Sequence, residues 1–149
     1  MGLDVDAELL IHRPREEVAS FASEPDNDPR WISGIRSAHL LTERPVRVGT
    51  RVERVASFLG KRIEYVMEVD DLVPGERIVM RSVRAPFPMR VTYGFRDGDE
   101  GTHMSMRVEG EPSGFYRLTG ALMARRVRSA ITKDLENLRS LLGGSASPT

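Results

Sequence analysis

The stretch from Ser113 to Leu142 constrains the fold most, because it contains no proline and is followed by Gly143-Gly144. A proline-free stretch that ends at glycine is typical of a long helix. From Met123 onward its apolar residues recur at steps of four, four, four, three and four, which keeps them on one helix face. Such a helix needs a broad apolar surface to lie on. The stripe consists of Met123, Val127, Ile131, Leu135, Leu138 and Leu142.

The first part of the same stretch does not continue this stripe. Phe115, Leu118 and Leu122 share a face that lies about half a turn away from the later one, at roughly 3.6 residues per turn. Gly120 lies close to the change of face. The sequence therefore predicts a kink, or a separate short helical turn, before about Ala121.

The chain before this helix has the alternation of β-strands, interrupted once by short helices. Leu3 to Ile11 alternates apolar and acidic residues, and Pro14 and Trp31 mark two short helices after it. Hairpin-length connections join the later strands, so the predicted fold is α+β, with a seven-stranded curved antiparallel sheet gripping the long C-terminal helix. The later strands are expected at Ile35–Thr42, Arg51–Leu59, Arg62–Val73 and Arg77–Arg84, then around Met89–Phe95 and Met104–Glu109.

Composition excludes several classes of function. The chain has 149 residues, no cysteine, and 22 basic against 22 acidic side chains. One domain over residues 1–144 with a disordered tail at 145–149 is expected. The absence of cysteine excludes disulfides and thiolate chemistry, and zero net charge gives no indication of nucleic acid as a partner. No signal peptide or membrane-spanning segment is apparent, so a cytoplasmic location is expected.

The opening strand is followed by six short motifs between Arg13 and Leu138, and the whole pattern spans about Val5 to Leu142. In this order and spacing they resemble the START-like, or helix-grip, superfamily (SRPBCC), which includes the polyketide cyclase/dehydrase and lipid-transport group and is related to the Bet v 1 allergens. That resemblance implies a deep cavity between the sheet and the C-terminal helix. The motifs are Arg13-Pro14-Arg15-Glu16-Glu17-Val18-Ala19-Ser20-Phe21, Asp28-Pro29-Arg30-Trp31, Val48-Gly49-Thr50, Phe58-Leu59-Gly60-Lys61-Arg62, Val73-Pro74-Gly75-Glu76-Arg77 and Leu135-Glu136-Asn137-Leu138.

Strand alternation predicts which side chains face that cavity. Methionine adapts its shape, so five inward methionines on strands suit an irregular apolar ligand. The alternative is that these side chains fill an ordinary core. The predicted ligand-binding residues on this face are Phe58, Tyr65, Met67, Met80, Met89, Tyr93, Met104 and Met106 from the strands, with Met123 and Val127 from the helix.

A few polar or large side chains are further candidates for the site. Trp31 is expected to be either a cavity wall or a core anchor. Arg54 shares the inward side of its strand, where an unpaired guanidinium is costly to bury. It either meets an acid, a carbonyl or a ligand anion, or it reaches solvent through a bulge or at the cavity mouth, which is the favoured interpretation. Ser82, Tyr65 and Tyr93 are candidates for binding a polar ligand end, although a purely structural role is the favoured interpretation of the two tyrosines.

The sequence favours binding over catalysis. We find no nucleotide-binding or nucleophile-elbow motif, and nothing local supports a metal site at His12, His39 or His103, so no cofactor or metal is expected. The preferred hypothesis is a cavity that binds a hydrophobic, lipid- or polyketide-like molecule. A second is a polyketide cyclase/aromatase-like enzyme, in which Arg54, Tyr65 and Tyr93 orient the substrate and move protons. A third is a ligand-free interaction module that uses the charged sheet face or the arginines at 125, 126 and 128.

Overall fold

The computed structural model describes residues 2–58, 60–111 and 120–142. One strand leads into two short helices, six further strands follow, and a long helix comes last, in the predicted order. The elements are β1 (Leu3–Ile11), α1 (Arg15–Ala22), a 3₁₀ turn (Pro25–Asn27), α2 (Asp28–Trp31), β2 (Ile35–Leu40), β3 (Arg51–Phe58), β4 (Lys61–Val73), β5 (Arg77–Arg84), β6 (Met89–Gly98), β7 (Gly101–Gly110) and α3 (Gly120–Leu141).

All seven strands form one antiparallel sheet with the order β1-β7-β6-β5-β4-β3-β2. Four successive hairpins connect β3 to β4, β4 to β5, β5 to β6 and β6 to β7. The first strand, β1, pairs with β7 and forms one edge of the sheet. The β4–β5 pairing shifts register between Val66 and Met67 and again between Val69 and Asp71. Such bulges bend a strand and increase its twist, which explains how the long β4 follows a curved sheet.

The two faces of the sheet differ in the way that alternation predicts. The outer face carries cross-strand ion pairs, such as Arg107 with Asp4 at 2.7 Å and Arg90 with Asp70 at 2.9 Å. The inner face carries the apolar core. The predicted α+β helix-grip architecture is confirmed, and the sheet holds α3 against β1 and β7.

The apolar stripe of α3 is buried as expected. Met123, Val127, Ile131, Leu135 and Leu138 are all buried, and Leu142 is half-buried. Leu122, which belongs to the other predicted face, is exposed. The predicted kink before Ala121, the closing Gly143-Gly144 and the tail at 145–149 lie outside the described residues.

Candidate ligand-binding cavity

A cavity of about 370 Å³ lies between the inner face of the sheet, α3 and the connection from α2 to β2. Its lining is mostly apolar, and the charged side chains among the described lining residues are Arg54, Arg126 and Asp134. Ligand sites in proteins typically have this combination of size, apolar walls and a few polar groups. The fold therefore leaves an open space where the sheet cannot close onto α3.

Most of the side chains predicted to face a ligand lie on this cavity. Its walls include two aromatic hydroxyls, three methionines and one buried arginine from the predicted set. Contact between these side chains and a ligand remains a prediction. The predicted residues on the lining are Arg54, Phe58, Tyr65, Met89, Tyr93, Met106, Met123 and Val127.

Five predicted ligand-binding residues do not lie on the lining of this cavity. Trp31, Met67 and Met104 are fully buried in the core and do not line the cavity. Met80 borders a separate void of about 10 Å³ behind Arg54. The Ser82 hydroxyl accepts a hydrogen bond from the Met89 backbone N–H at 3.0 Å and lines an outer groove. Strand alternation predicts which side chains point to the inner face of the sheet. It does not predict which part of that face other elements cover.

The sequence did not single out several of the residues that line the cavity. Some share the inward side of a predicted strand, so strand alternation could have included them, whereas nothing in the sequence marked the α2–β2 connection. The additional lining residues are Leu3, Ile32, Ser33, Gly34, Ile35, Ala56, Ser57, Ile63, Phe87, Val91, Val108, Arg126, Ala130, Ile131 and Asp134.

Arg54 is buried and forms an ion pair with Asp28. Its side chain lies on the cavity wall, with 4% of the residue exposed, and Asp28 lies behind it, with 1% exposed. The Nε and Nη2 atoms of Arg54 donate hydrogen bonds to the same Asp28 oxygen, Oδ2, at 3.0 and 2.8 Å. The Arg54 guanidinium also makes a side-chain hydrogen bond with Tyr93, which links the two groups on the cavity wall.

The favoured interpretation of Arg54 from the sequence, that it reaches solvent or lies near the cavity mouth, is wrong. No register shift interrupts β3–β4 at this position, and Arg54 lies opposite Tyr65. Burial works against its charge, but the negative charge of Asp28 holds the pKa of Arg54 well above its ordinary value. Burial raises the pKa of Asp28, and the positive charge of Arg54 opposes that shift. The acid that a buried arginine requires comes from the first residue of α2.

Aromatic side chains surround this ion pair. The ring of Tyr93 meets that of Trp31 edge-on, with 5.5 Å between the ring centroids and 64° between the planes. Burial raises the pKa of Tyr93 far above its ordinary value, although the charge of Arg54 acts in the opposite direction. Tyr93 therefore stays protonated at neutral pH, and its hydroxyl can donate a hydrogen bond but cannot serve as a base.

Asp134 fixes α3 to the α2–β2 connection beside the cavity. Its Oδ1 accepts hydrogen bonds at 2.9 Å from both the backbone N–H and the hydroxyl of Ser33. One turn further, Asn137 Nδ2 donates to the Trp31 carbonyl at 3.1 Å. These three bonds, spread over about one turn of α3, hold the short helix that supplies Asp28 and Trp31.

Replacing Asp134 with asparagine should flatten the pH dependence of stability in mildly acidic solution. Burial raises the pKa of Asp134, so the folded protein binds this proton more tightly than the unfolded chain does. The stability contribution of Asp134 therefore falls as the pH rises from about 4, the ordinary pKa of aspartate, through the raised folded value. Urea unfolding at a series of pH values would measure this slope. Glu136→Gln, at an exposed position on the same helix, is the control, and an unchanged slope in Asp134→Asn would contradict the expectation.

Within the described residues, no group of three or more histidine or acidic side chains is placed to hold a metal ion. No helix in that part of the chain has the length and apolar character needed to cross a bilayer.

Three solved structures with the same fold are each less than a quarter identical to this chain. A Thermus thermophilus protein is 22% identical, with a TM-score of 0.74 over 93% of this chain and 98% of its own. A START superfamily protein from Mycobacterium smegmatis is 13% identical, with a TM-score of 0.80 over 93% and 96%. The Zhui aromatase/cyclase from a Streptomyces species is 15% identical, with a TM-score of 0.77 over 95% and 94%.

No curated protein matches the chain. The family described as polyketide cyclase / dehydrase and lipid transport matches residues 3–143. This match covers almost the whole sequence, and the helix-grip fold agrees with it. The chain therefore belongs to the polyketide cyclase/dehydrase and lipid transport family.

Proposed function

We propose that this protein binds a hydrophobic small molecule in the cavity between its sheet and α3. The observation that carries the proposal is the cavity itself, about 370 Å³ of space with mostly apolar walls. Close-packed interiors have few voids larger than a water molecule. Water gains little from apolar walls, so an apolar ligand of matching shape would displace it favourably.

The wall formed by Arg54, Tyr65 and Tyr93 would receive a polar part of this ligand. Asp28 neutralises the charge of Arg54, and the Tyr93 hydroxyl beside it stays protonated. Together these groups offer hydrogen-bond donors without a net charge. They suit a carbonyl or hydroxyl oxygen on an otherwise apolar molecule.

Filling the cavity should abolish binding without unfolding the protein. Ala56 is buried on β3 and lines the cavity, so Ala56→Phe would place a ring in the open space. We expect the affinity for an environment-sensitive apolar dye to fall at least about tenfold, roughly 1.4 kcal/mol. Stability should change by less than about 1 kcal/mol, because the ring enters a void and not a packed core.

The matched control for this experiment is Val55→Phe. Val55 is the neighbouring residue on β3, and it lies opposite the exposed Glu64 on the outer face. Dye titration followed by fluorescence would compare the two variants with the wild type. Equal binding by Ala56→Phe and the wild type would show that the dye does not occupy this cavity.

A second candidate function is catalysis of the polyketide cyclase kind. The same buried guanidinium and tyrosine hydroxyls favour it, since they could hold a carbonyl oxygen as its charge increases during the reaction. The similarity in fold to the Zhui aromatase/cyclase is compatible with this role. Native mass spectrometry of freshly purified protein, followed by extraction of any bound compound, distinguishes a binding protein from an enzyme. A compound recovered unchanged after incubation with fresh protein favours a carrier, and a chemically altered compound favours an enzyme.

A further inference from the structure

Arg126 is the charged side chain on the cavity lining for which the structure shows no partner among the described residues. Arg54 is paired with Asp28, and Asp134 accepts two hydrogen bonds from Ser33. Arg126 takes part in no hydrogen bond or ion pair with any described residue, yet it borders the cavity. Of the three charges on the lining, Arg126 is therefore the one that no described residue neutralises or hydrogen-bonds.

The position of Arg126 places its charge at the cavity mouth. Among the described residues that line the cavity, only Arg126 and Ser33 are exposed to solvent. The lining residues of α3 are spaced as one helical stripe, Met123, Arg126, Val127, Ala130, Ile131 and Asp134.

Little in the described structure opposes the positive charge at this mouth. Arg126 and Asp134 are eight residues apart, about 12 Å along the helix axis. That exceeds the screening length of about 8 Å at physiological ionic strength. Arg125 and Arg128 are also exposed and without an ion pair among the described residues. Among the described lining residues, Arg126 is therefore the one charged group exposed at the mouth, and the interior behind it is mostly apolar.

We propose that the ligand is an amphipathic anion, with a carboxylate or phosphate group at one end of an apolar body, and that Arg126 selects it. This inference rests on the proposed function and specifies its ligand class. The apolar body lies between the sheet and α3, and the anionic group lies at the mouth, where it receives charge-assisted hydrogen bonds from the guanidinium. A neutral oxygen elsewhere on the ligand can reach the Arg54 wall.

The test compares three probes that share one alkyl chain: dodecanoate, dodecyl phosphate and dodecanol, each below its aggregation concentration. Displacement of the apolar dye measures the affinity of each. We expect the wild type to prefer at least one anion to the alcohol by about tenfold, the ratio expected for one charge-assisted hydrogen bond. Arg126→Gln should reduce that preference to within about twofold and leave the affinity for dodecanol unchanged.

Arg128→Gln is the matched control, because it removes the same charge from the same helix at an exposed position off the cavity lining. It should keep most of the preference for the anion. Equal loss in Arg126→Gln and Arg128→Gln would overturn the assignment to Arg126, since a diffuse field would then account for the preference. Equal affinity of the wild type for all three probes would overturn the ligand class alone. Binding of none of them would overturn the proposed apolar site as well.

Discussion

Replacing Arg54 with methionine is expected to destabilise the protein by about 3–5 kcal/mol, because it leaves the buried carboxylate of Asp28 without its partner. Burial already raises the pKa of Asp28, and the charge of Arg54 opposes that shift. Without Arg54, the carboxyl is driven further toward its protonated form. The folded variant then holds this proton more tightly than the unfolded chain, so its stability should fall as the pH rises above about 4.

Denaturant unfolding at several pH values would measure both effects. Arg51→Met is the matched control, because Arg51 lies on the same strand and pairs with Glu68 at 2.9 Å while exposed to solvent. That change should cost no more than about 1 kcal/mol. The double variant Asp28→Leu/Arg54→Met should recover most of the loss, since apolar residues of similar size can replace a buried ion pair. If Arg54→Met cost no more than Arg51→Met, the pair would not contribute as argued.

Replacing Trp31 with alanine is expected to cost about 3–5 kcal/mol of stability, because it deletes a large, fully buried ring and leaves a cavity. The edge-on contact with Tyr93 would also be lost, at about 0.5–1.5 kcal/mol. Thermal or chemical unfolding would measure the total. Trp31→Phe should cost much less, because it keeps most of the ring and removes an indole N–H that is buried without a hydrogen-bond partner.

The Trp31 variants also test which of the two roles left open by the sequence is correct. The structure places Trp31 in the core beside α3, off the cavity lining. A core anchor predicts that Trp31→Phe binds the apolar dye within about twofold of the wild type. A tenfold loss of affinity in a variant that remains folded would instead show that Trp31 forms part of the wall.

Periodicity was sufficient to predict the architecture. The stripe on α3 and the alternation along β1, β4, β6 and β7 predicted correctly which side chains face the core. This is possible because helix and strand repeats depend only on neighbouring residues. The observed strand bounds differ from the predicted ones by a few residues at several strand ends, because the pairing partner decides how far a strand continues. For instance, β7 begins at Gly101 beside β6, before the alternating residues from Met104 onward.

The candidate site could be predicted only in part. Eight of its predicted residues line the cavity, whereas Met67 and Met104 lie on the correct face but are covered by the core. Whether an inward side chain meets open space depends on the curvature of the sheet and on the position of α3. Both arise from contacts between residues far apart in sequence.

Arg54 shows most clearly what the sequence determines and what only the tertiary structure decides. Its place in the strand determined that the side chain points inward, and the energetics of a buried guanidinium determined that it must find an acceptor. Only the tertiary structure decided that the acceptor is Asp28, 26 residues earlier on α2. In the same way, the sequence showed a cluster of three arginines in the first half of α3, and the fold decided that Arg126 borders the cavity while Arg128 does not. Local chemistry sets what each side chain requires, and the packing of distant elements decides which partner supplies it.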